Sequence, residues 1–358
     1  MKGTAIIWKR DFSAILITLQ VNYKVGPYSH SVIGGPKLAE IYVTGTELDL
    51  WELAEYMRCP VQIFSDKGDA AWWGYLAELN INVGLWSVGI NIDTMANYVG
   101  VIYEDSANQG KPTMTSWAED IVSTLEYGRR ELLFTSSGTN AMHALAARDK
   151  YLAEKKYPTP VIAPREKGPD SATLYCRGWF DTLAWRYYAN AGVNLVDTAT
   201  QISAMITSCG EFISSISLET TSGISTAETR DGKANAYFEI TELLNMGTSN
   251  YRRLLCEVTL GRMLRVYEEP IVPTYTNMIL KGGSLRDPYD TVIRKETCPV
   301  GIWTRLKDIV PASVDTTKLA DPTIMFIDEA EYIPDEDRLN LTPRGFIDPF
   351  QIGRPKDG

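Results

Sequence analysis

Between residues 61 and 93 the sequence alternates apolar and polar side chains with a period of two, and a chain that does so through two turns is committed to a sheet with one buried face. Val61 and Ile63 lead into the polar turn Ser65-Asp66-Lys67-Gly68, and the apolar run Trp72-Trp73-Gly74-Tyr75-Leu76 follows. Leu79, Ile81, Val83 and Leu85 then alternate with Asn80, Asn82 and Gly84, and after a shift of register Val88, Ile90 and Ile92 alternate up to Asp93. A slip of one residue would turn the whole apolar set to water, so the pattern specifies its own register.

The flanking sequence extends this β character. Ile15, Ile17 and Leu19 alternate, and Val32 and Ile33 precede a Gly34-Gly35-Pro36 turn. Thr46 caps a helix over 48–56 whose Leu50, Leu53 and Ala54 share one face. Glu104 to Thr115 is polar, contains Gly and Pro and lacks periodicity, which predicts a linker or long loop with a domain boundary nearby. Glu131 to Phe134 reads as a strand, and Ser136-Ser137-Gly138-Thr139 offers caps for a helix through Lys155 carrying Met142, Leu145, Ala146 and Leu152. Thr173 to Trp179 resumes strand character after a proline-rich loop.

Further on, Ile202, Met205, Ile206 and Cys209 stand at i, i+3, i+4 and i+7, and Gly210 is placed to stop that helix. A strand around Ile216 and Leu218, a helix over 236–244 and a hairpin of Leu254–Val258 with Met263–Tyr267 follow. The last third predicts an amphipathic helix with Ile302, Trp303, Leu306 and Ile309. Strands at Ile324–Ile327 and Arg338–Thr342 then flank an acidic turn that includes Asp335, Glu336 and Asp337. Pro343, Gly345, Pro349, Gly353 and Pro355 make the final residues an extended arm.

Charge and cysteine usage exclude several classes. A net charge of −10 leaves no broad basic surface for phosphate backbones, so specific nucleic-acid binding is not expected. No run of about 18 apolar residues exists for a membrane span, and Met1 to Thr18 lacks the apolar core of an export signal. Asn340-Leu341-Thr342 matches a glycosylation site, which matters only on a secreted chain. Cys59, Cys176, Cys209, Cys256 and Cys298 are spread without a close pair, the pattern of reduced thiols rather than of a disulfide framework or zinc site. With 19 Tyr and 9 Trp against 9 Phe, rings with polar tips dominate; such rings suit subunit contacts and also strands.

Catalytic patterns are absent from the sequence. Its two histidines, His30 and His143, lie in a Tyr28-Ser29-His30-Ser31 segment and within a helix, without the context of a nucleophile and base. Gly34-Gly35-Pro36-Lys37 lacks the spaced glycines and hydroxyl of a phosphate loop. Asp335-Glu336-Asp337 lacks the spacing and central glycine of a calcium loop. No catalytic, cofactor-binding or metal-ligating residue is assigned, no cofactor is expected, and the chain reads as a structural protein.

One local pattern recurs. Asp93-Thr94-Met95-Ala96 and Asp181-Thr182-Leu183-Ala184 each follow a strand and lie 88 positions apart. Asp and Thr after a strand can accept the free N–H groups of a short helix, which leaves two origins open: a duplicated β unit, or two caps that arose separately.

Taken with Trp73-Gly74-Tyr75, with Leu174 to Tyr188 and with the helix around Ile202-Ser203-Ala204-Met205-Ile206, these residues resemble the tail-tip or baseplate hub proteins of long-tailed bacteriophages. The resemblance implies a mainly β, α+β fold with duplicated tail-tube-like β-barrel domains. It divides the chain into a barrel at 1–106, a middle α+β domain with a partial repeat at 107–195, a barrel-related α+β domain at 196–272, and a C-terminal hairpin region with an extended arm at 273–358.

The family implies a homotrimer whose six barrels match the sixfold tail tube and whose lumen passes DNA past acidic walls. The implied partners are tail tube, distal tail and tape measure proteins and tail fibre or receptor-binding proteins, with no membrane insertion and a place at the tail tip of the virion. Two alternatives stay open: a distal tail adaptor forming a ring of six, and a glycan-cleaving or glycan-binding tail module using stacked aromatics and two carboxylates.

Overall fold

A computed structural model of the chain describes residues 3–18, 22–65, 68–137, 140–269, 279–280, 293–294, 303–305, 324–335 and 338–343. The fold is mainly β, with several sheets and a smaller share of helix. Its first part holds β1 (Thr4–Trp8), β2 (Ile15–Thr18), β3 (Tyr23–Ser31), β4 (Gly35–Thr44), α1 (Glu47–Glu52), β5 (Pro60–Phe64), β6 (Ala70–Val83) and β7 (Trp86–Asn91). The alternating stretch becomes β5, β6 and β7, with Leu79 and Ile81 fully buried; Leu85 turns out of the pattern into the β6–β7 turn. Val32 and Ile33 lie in the β3–β4 turn, and Gly35 and Pro36 already belong to β4. Thr46 caps α1 in a reciprocal box with Asp49.

The middle of the chain adds β8 (Tyr98–Asp105), β9 (Lys111–Met114), β10 (Ala118–Glu119), α2 (Ile121–Tyr127), β11 (Glu131–Ser136), α3 (Ala141–Lys155), β12 (Val161–Pro164) and β13 (Ser171–Gly178). The stretch expected as a linker at 104–115 is instead part of a hairpin, in which β8 and β9 pair from Ile102↔Met114 to Asp105↔Lys111. Its polarity is that of an exposed strand, since three of the four β9 residues face solvent. Helix α3 forms as expected but is capped by Asn140, and it buries Ala144 against β8 while Met142 points to solvent.

The remainder comprises β14 (Tyr187–Asn190), β15 (Leu195–Asp197), α4 (Thr198–Cys209), β16 (Ser215–Leu218), β17 (Ser225–Ala227), β18 (Arg230–Asn235), α5 (Ala236–Asn245), β19 (Leu254–Val258) and β20 (Met263–Glu268). Of these, α4, β16, α5, β19 and β20 are the expected helices, strand and hairpin, whereas β14, β15, β17 and β18 are short strands that the sequence pattern does not mark. Beyond them lie β21 (Ile279–Leu280), β22 (Ile293–Arg294), β23 (Trp303–Arg305), β24 (Ile324–Ile333) and β25 (Arg338–Pro343). Trp303, expected in a helix, is in strand β23, because it pairs with Phe326 of β24. The rest of that expected helix and the proline-rich arm lie outside the described residues.

Strands join in the order β2-β1-β5-β6-β13-β4-β3-β24-β23, with β7, β12 and β25 attached beside them. Irregularities between Ile63 and Phe64, between Tyr175 and Cys176 and along β3 add local twist. The run from β1 to β3 curls until the Tyr23 hydroxyl on β3 donates to the Gly3 carbonyl beside β1, 3.4 Å away. Gly74 and Gly178 face each other across the β6–β13 ladder. A Cβ on Gly74 would lie 2.0 Å from the Arg177 carbonyl oxygen, and one on Gly178 1.6 Å from that of Pro36, so both positions require glycine.

One contiguous core fills the curl and continues past it. It takes in Ile7, Ile41, Trp72, Tyr75 and Leu79, then Leu174 and Trp179, then Ile202, Met205, Ile240 and Val266. Trp179 packs against Phe12, Tyr75 and Phe212, and so ties the sheet to the end of α4. β13 sits between β6 and β4, so the expected boundary at 106/107 cuts through a single sheet, and neither it nor the one at 195/196 separates two cores. Over 196–272 the described sheets have two or three strands each.

Candidate functional site

Three features stand out from this scaffold. The first is a polar clasp where β13 leaves the sheet. Arg177 reaches Asp93 at 2.6 Å and Asp181 at 3.4 Å, Tyr75 donates its hydroxyl to Asp181 at 2.6 Å, and Arg130 meets Asp93 at 3.5 Å while lying over the Trp185 ring. Burial pushes the Tyr75 phenol well up, so it remains a donor at every ordinary pH. The two recurring Asp-Thr-x-Ala segments thus converge on one arginine. Their aspartates are not the caps expected: Asn91 caps the first short helix, and Thr182 bonds the Trp179 carbonyl in the second. With both carboxylates held by guanidinium or phenol groups, the clasp joins elements and offers no free acid–base pair.

The second feature is a groove of about 710 Å³ between β2, α2 and the segment after α1, with Phe12, Leu16, Tyr56 and Leu125 among its lining. Its two arginines are bound internally. Arg10 donates to the carbonyls of Met57 and Glu55 and to the Glu126 carboxylate at 2.8 Å. Arg58, in the left-handed region at φ 64°, donates to the carbonyls of Arg10 and Glu126 and stacks 4.8 Å above Phe212. Burial lowers the Arg58 pKa to about 10, which leaves it cationic at neutral pH. Beside the groove, Ile121, Val122 and Leu125 of α2 are each at least 65% exposed.

The third is a ribbon formed by the end of β6 with β7 and β12. Val83 pairs with Trp86, Ile81 with Val88 and Ile162 with Val88, which sets these side chains on one face. At its base Ile81 and Val88 are buried; Leu85 and Trp86 at its tip and Val161 and Ile162 along its β12 edge are all more than half exposed, with Val161 on the opposite face from Ile162. No charged residue occurs from Leu79 to Ile92 or from Tyr157 to Pro164. Neither the groove nor the ribbon tip was singled out in the sequence. Those uncharged runs, and the i, i+1, i+4 spacing of Ile121, Val122 and Leu125, are the signals that carry them.

The residues weighed for chemistry are placed as follows. His30 sits in β3 with Nε2 2.9 Å from the Ala71 carbonyl, and His143 sits in the first turn of α3 with Nδ1 3.2 Å from the Asn140 amide. The Gly34 N–H is taken up by the Cys256 carbonyl at 2.8 Å, so the Gly34–Lys37 segment braces β19. Asp335 pairs with Lys24, and Glu336 and Asp337 lie outside the described residues. Cys59, Cys176, Cys209 and Cys256 are buried free thiols, each pushed up by burial and so poor nucleophiles; Cys298 lies outside the described residues. Among the described residues no three His, Cys, Asp or Glu side chains gather as a metal would require, and no helix is long and apolar enough to cross a membrane. No protein-family model matches the chain, and no curated protein matches it.

Proposed function

We propose that this chain is a structural subunit of the tail tip of a long-tailed bacteriophage, a hub that closes the tail tube and links it to host-recognition components while DNA passes through its lumen. The observation that carries this reading is the curled run β1-β5-β6-β13-β4-β3 around a filled core, the arrangement a tube-like barrel requires. In this reading that run is the first barrel, and the smaller sheets with α4 and α5 make up the barrel-related unit of 196–272. A net charge of −10 suits a lumen that must not hold DNA. The ribbon tip and the α2 face supply apolar surface of the kind that subunit contacts bury.

The subunit acts by shape and symmetry in this reading, as a homotrimer meeting the tail tube, distal tail, tape measure and fibre proteins at the tail tip, with no cofactor. The test is the mass of the purified full chain by light scattering and native mass spectrometry. Three copies are expected. Six would reassign the chain to the distal tail adaptor, and a monomer that degrades cell-wall polymer would replace both with an enzyme.

A further inference from the structure

We propose that copies of this chain join head to tail, the ribbon tip of one copy seated in the β2–α2 groove of the next. The inference rests on the ring-forming reading above and names the contact that would build the ring.

The two surfaces fit in shape and charge. The ribbon presents Leu85 and Trp86 on a projecting turn, with Ile162 on the same face of the neighbouring strand as Trp86. The groove presents a concave wall through Leu16 and Leu125, with Ile121 and Val122 continuing it. The charges beside the tip, Arg165 and Asp170, pair with each other at 3.4 Å, and the groove's arginines are bound within their own copy, Arg10 to the Glu126 carboxylate and Arg58 to backbone carbonyls. A tip whose own charges are already paired brings no new unpaired charge into the groove. A polyanion would instead meet Asp11, Glu55, Glu126 and Glu211.

Area and reach agree. At the observed exposures the seven aliphatic and aromatic side chains of tip and groove present roughly 580 Å² of apolar surface, from about 120 Å² per aliphatic and about 230 Å² per indole side chain. A specific interface of about 1,000 Å² that is about 57% apolar needs about 570 Å². Arg58 at the groove donates its backbone N–H to Leu76 of β6, and the tip begins at Val83 on the same strand. Those seven residues of strand hold tip and groove about 23 Å apart. A copy therefore cannot fill its own groove, and a contact between two different patches passes from copy to copy, closing into the ring of the reading above where its rotation closes and giving an open filament where it does not.

Complementation tests the contact in the full chain. Trp86→Asp spoils the tip and spares the groove; Leu125→Arg does the reverse. Both positions are exposed, so circular dichroism and melting temperature should match the unmodified chain. Each variant alone should be monomeric at concentrations where the unmodified chain assembles, with self-association weakened at least about 30-fold. An equimolar mixture should yield a 1:1 dimer, through the one intact tip and the one intact groove.

As a second measurement, the double variant Leu85→Cys with Leu125→Cys should give an oxidised covalent ladder ending at a closed ring, which neither single variant gives. Variants that still assemble, or a mixture that stays monomeric, would overturn the tip-and-groove contact and leave the tail-tip reading standing on another interface. An unmodified chain that is monomeric at every concentration would overturn both.

Discussion

Replacing Asn97 probes the joint that holds the β8–β11 sheet to the end of α2. Asn97 is fully buried, and its side chain makes three hydrogen bonds. Nδ2 donates to Ser123 Oγ at 3.2 Å and to the Gly128 carbonyl at 2.8 Å, and Oδ1 accepts from the Arg130 N–H at 2.7 Å. Asn97→Ala leaves the buried Gly128 carbonyl and Arg130 N–H without these partners. At about 1–3 kcal/mol for each of the two orphaned groups, plus about 1 kcal/mol for the void, the loss should be about 3–7 kcal/mol. Asn97→Asp keeps the shape and the bond from Arg130, but it turns an acceptor toward the Gly128 carbonyl and toward Ser123, whose hydroxyl already donates to the Lys156 carbonyl. It should cost at least as much as alanine at pH 7.

Burial raises the folded-state pKa of that new carboxyl above its unfolded value. Its penalty is therefore greatest at neutral pH and shrinks as pH falls and the acid becomes a donor. Urea unfolding of the three proteins at pH 7 and pH 5 measures both effects. If Asn97→Asp lay within about 1 kcal/mol of the unmodified chain, the side chain would be filling space rather than bonding, and the reasoning would fail.

Gly74→Ala should destabilise by at least about 3 kcal/mol in thermal or urea unfolding, because its Cβ would overlap a backbone carbonyl that cannot swing away. The buried thiols Cys59, Cys176, Cys209 and Cys256 should react with an aromatic disulfide at pH 8 at least about 100-fold more slowly in the native chain than in denaturant; a fast native phase worth two or more thiols would contradict this. Burial raises the Asp197 carboxyl, but hydrogen bonds from Ser222, Gly223 and Ala199 outweigh it and hold the group below its usual range. The stability it contributes is therefore present above an unfolded value of about 3.9 and is lost as pH falls through the lower folded one. The deficit of Asp197→Asn should accordingly be full at pH 7 and fade below about pH 4; a deficit that grew on acidification would refute the assignment.

Strong periodicity was legible. The alternation of residues 61–92 gave β5, β6 and β7, and the spacing of Ile202, Met205, Ile206 and Cys209 gave the buried face of α4. The long strands β3 and β4 were not, because Gly26, Pro27, Gly35, Pro36 and Lys37 lie within them and their pairing, not their local preference, holds them extended. The 104–115 hairpin was hidden by its exposure: a strand open to solvent has no apolar partner to reveal it. In α3 hydropathy pointed to Met142, yet close packing on β8 selects the smaller Ala144. The Asp-Thr-x-Ala recurrence was visible, but its shared partner Arg177 follows only from β13 lying beside β6.

The tail-tip reading is tested most directly by the symmetry and copy number of this chain in its native particle, from averaged electron images of the isolated tail end and the mass of the released assembly. A ring of three at the end of the tail tube is the predicted result. A ring of six would move the chain up to the adaptor position, and particles that contain no copy of it would contradict the reading outright.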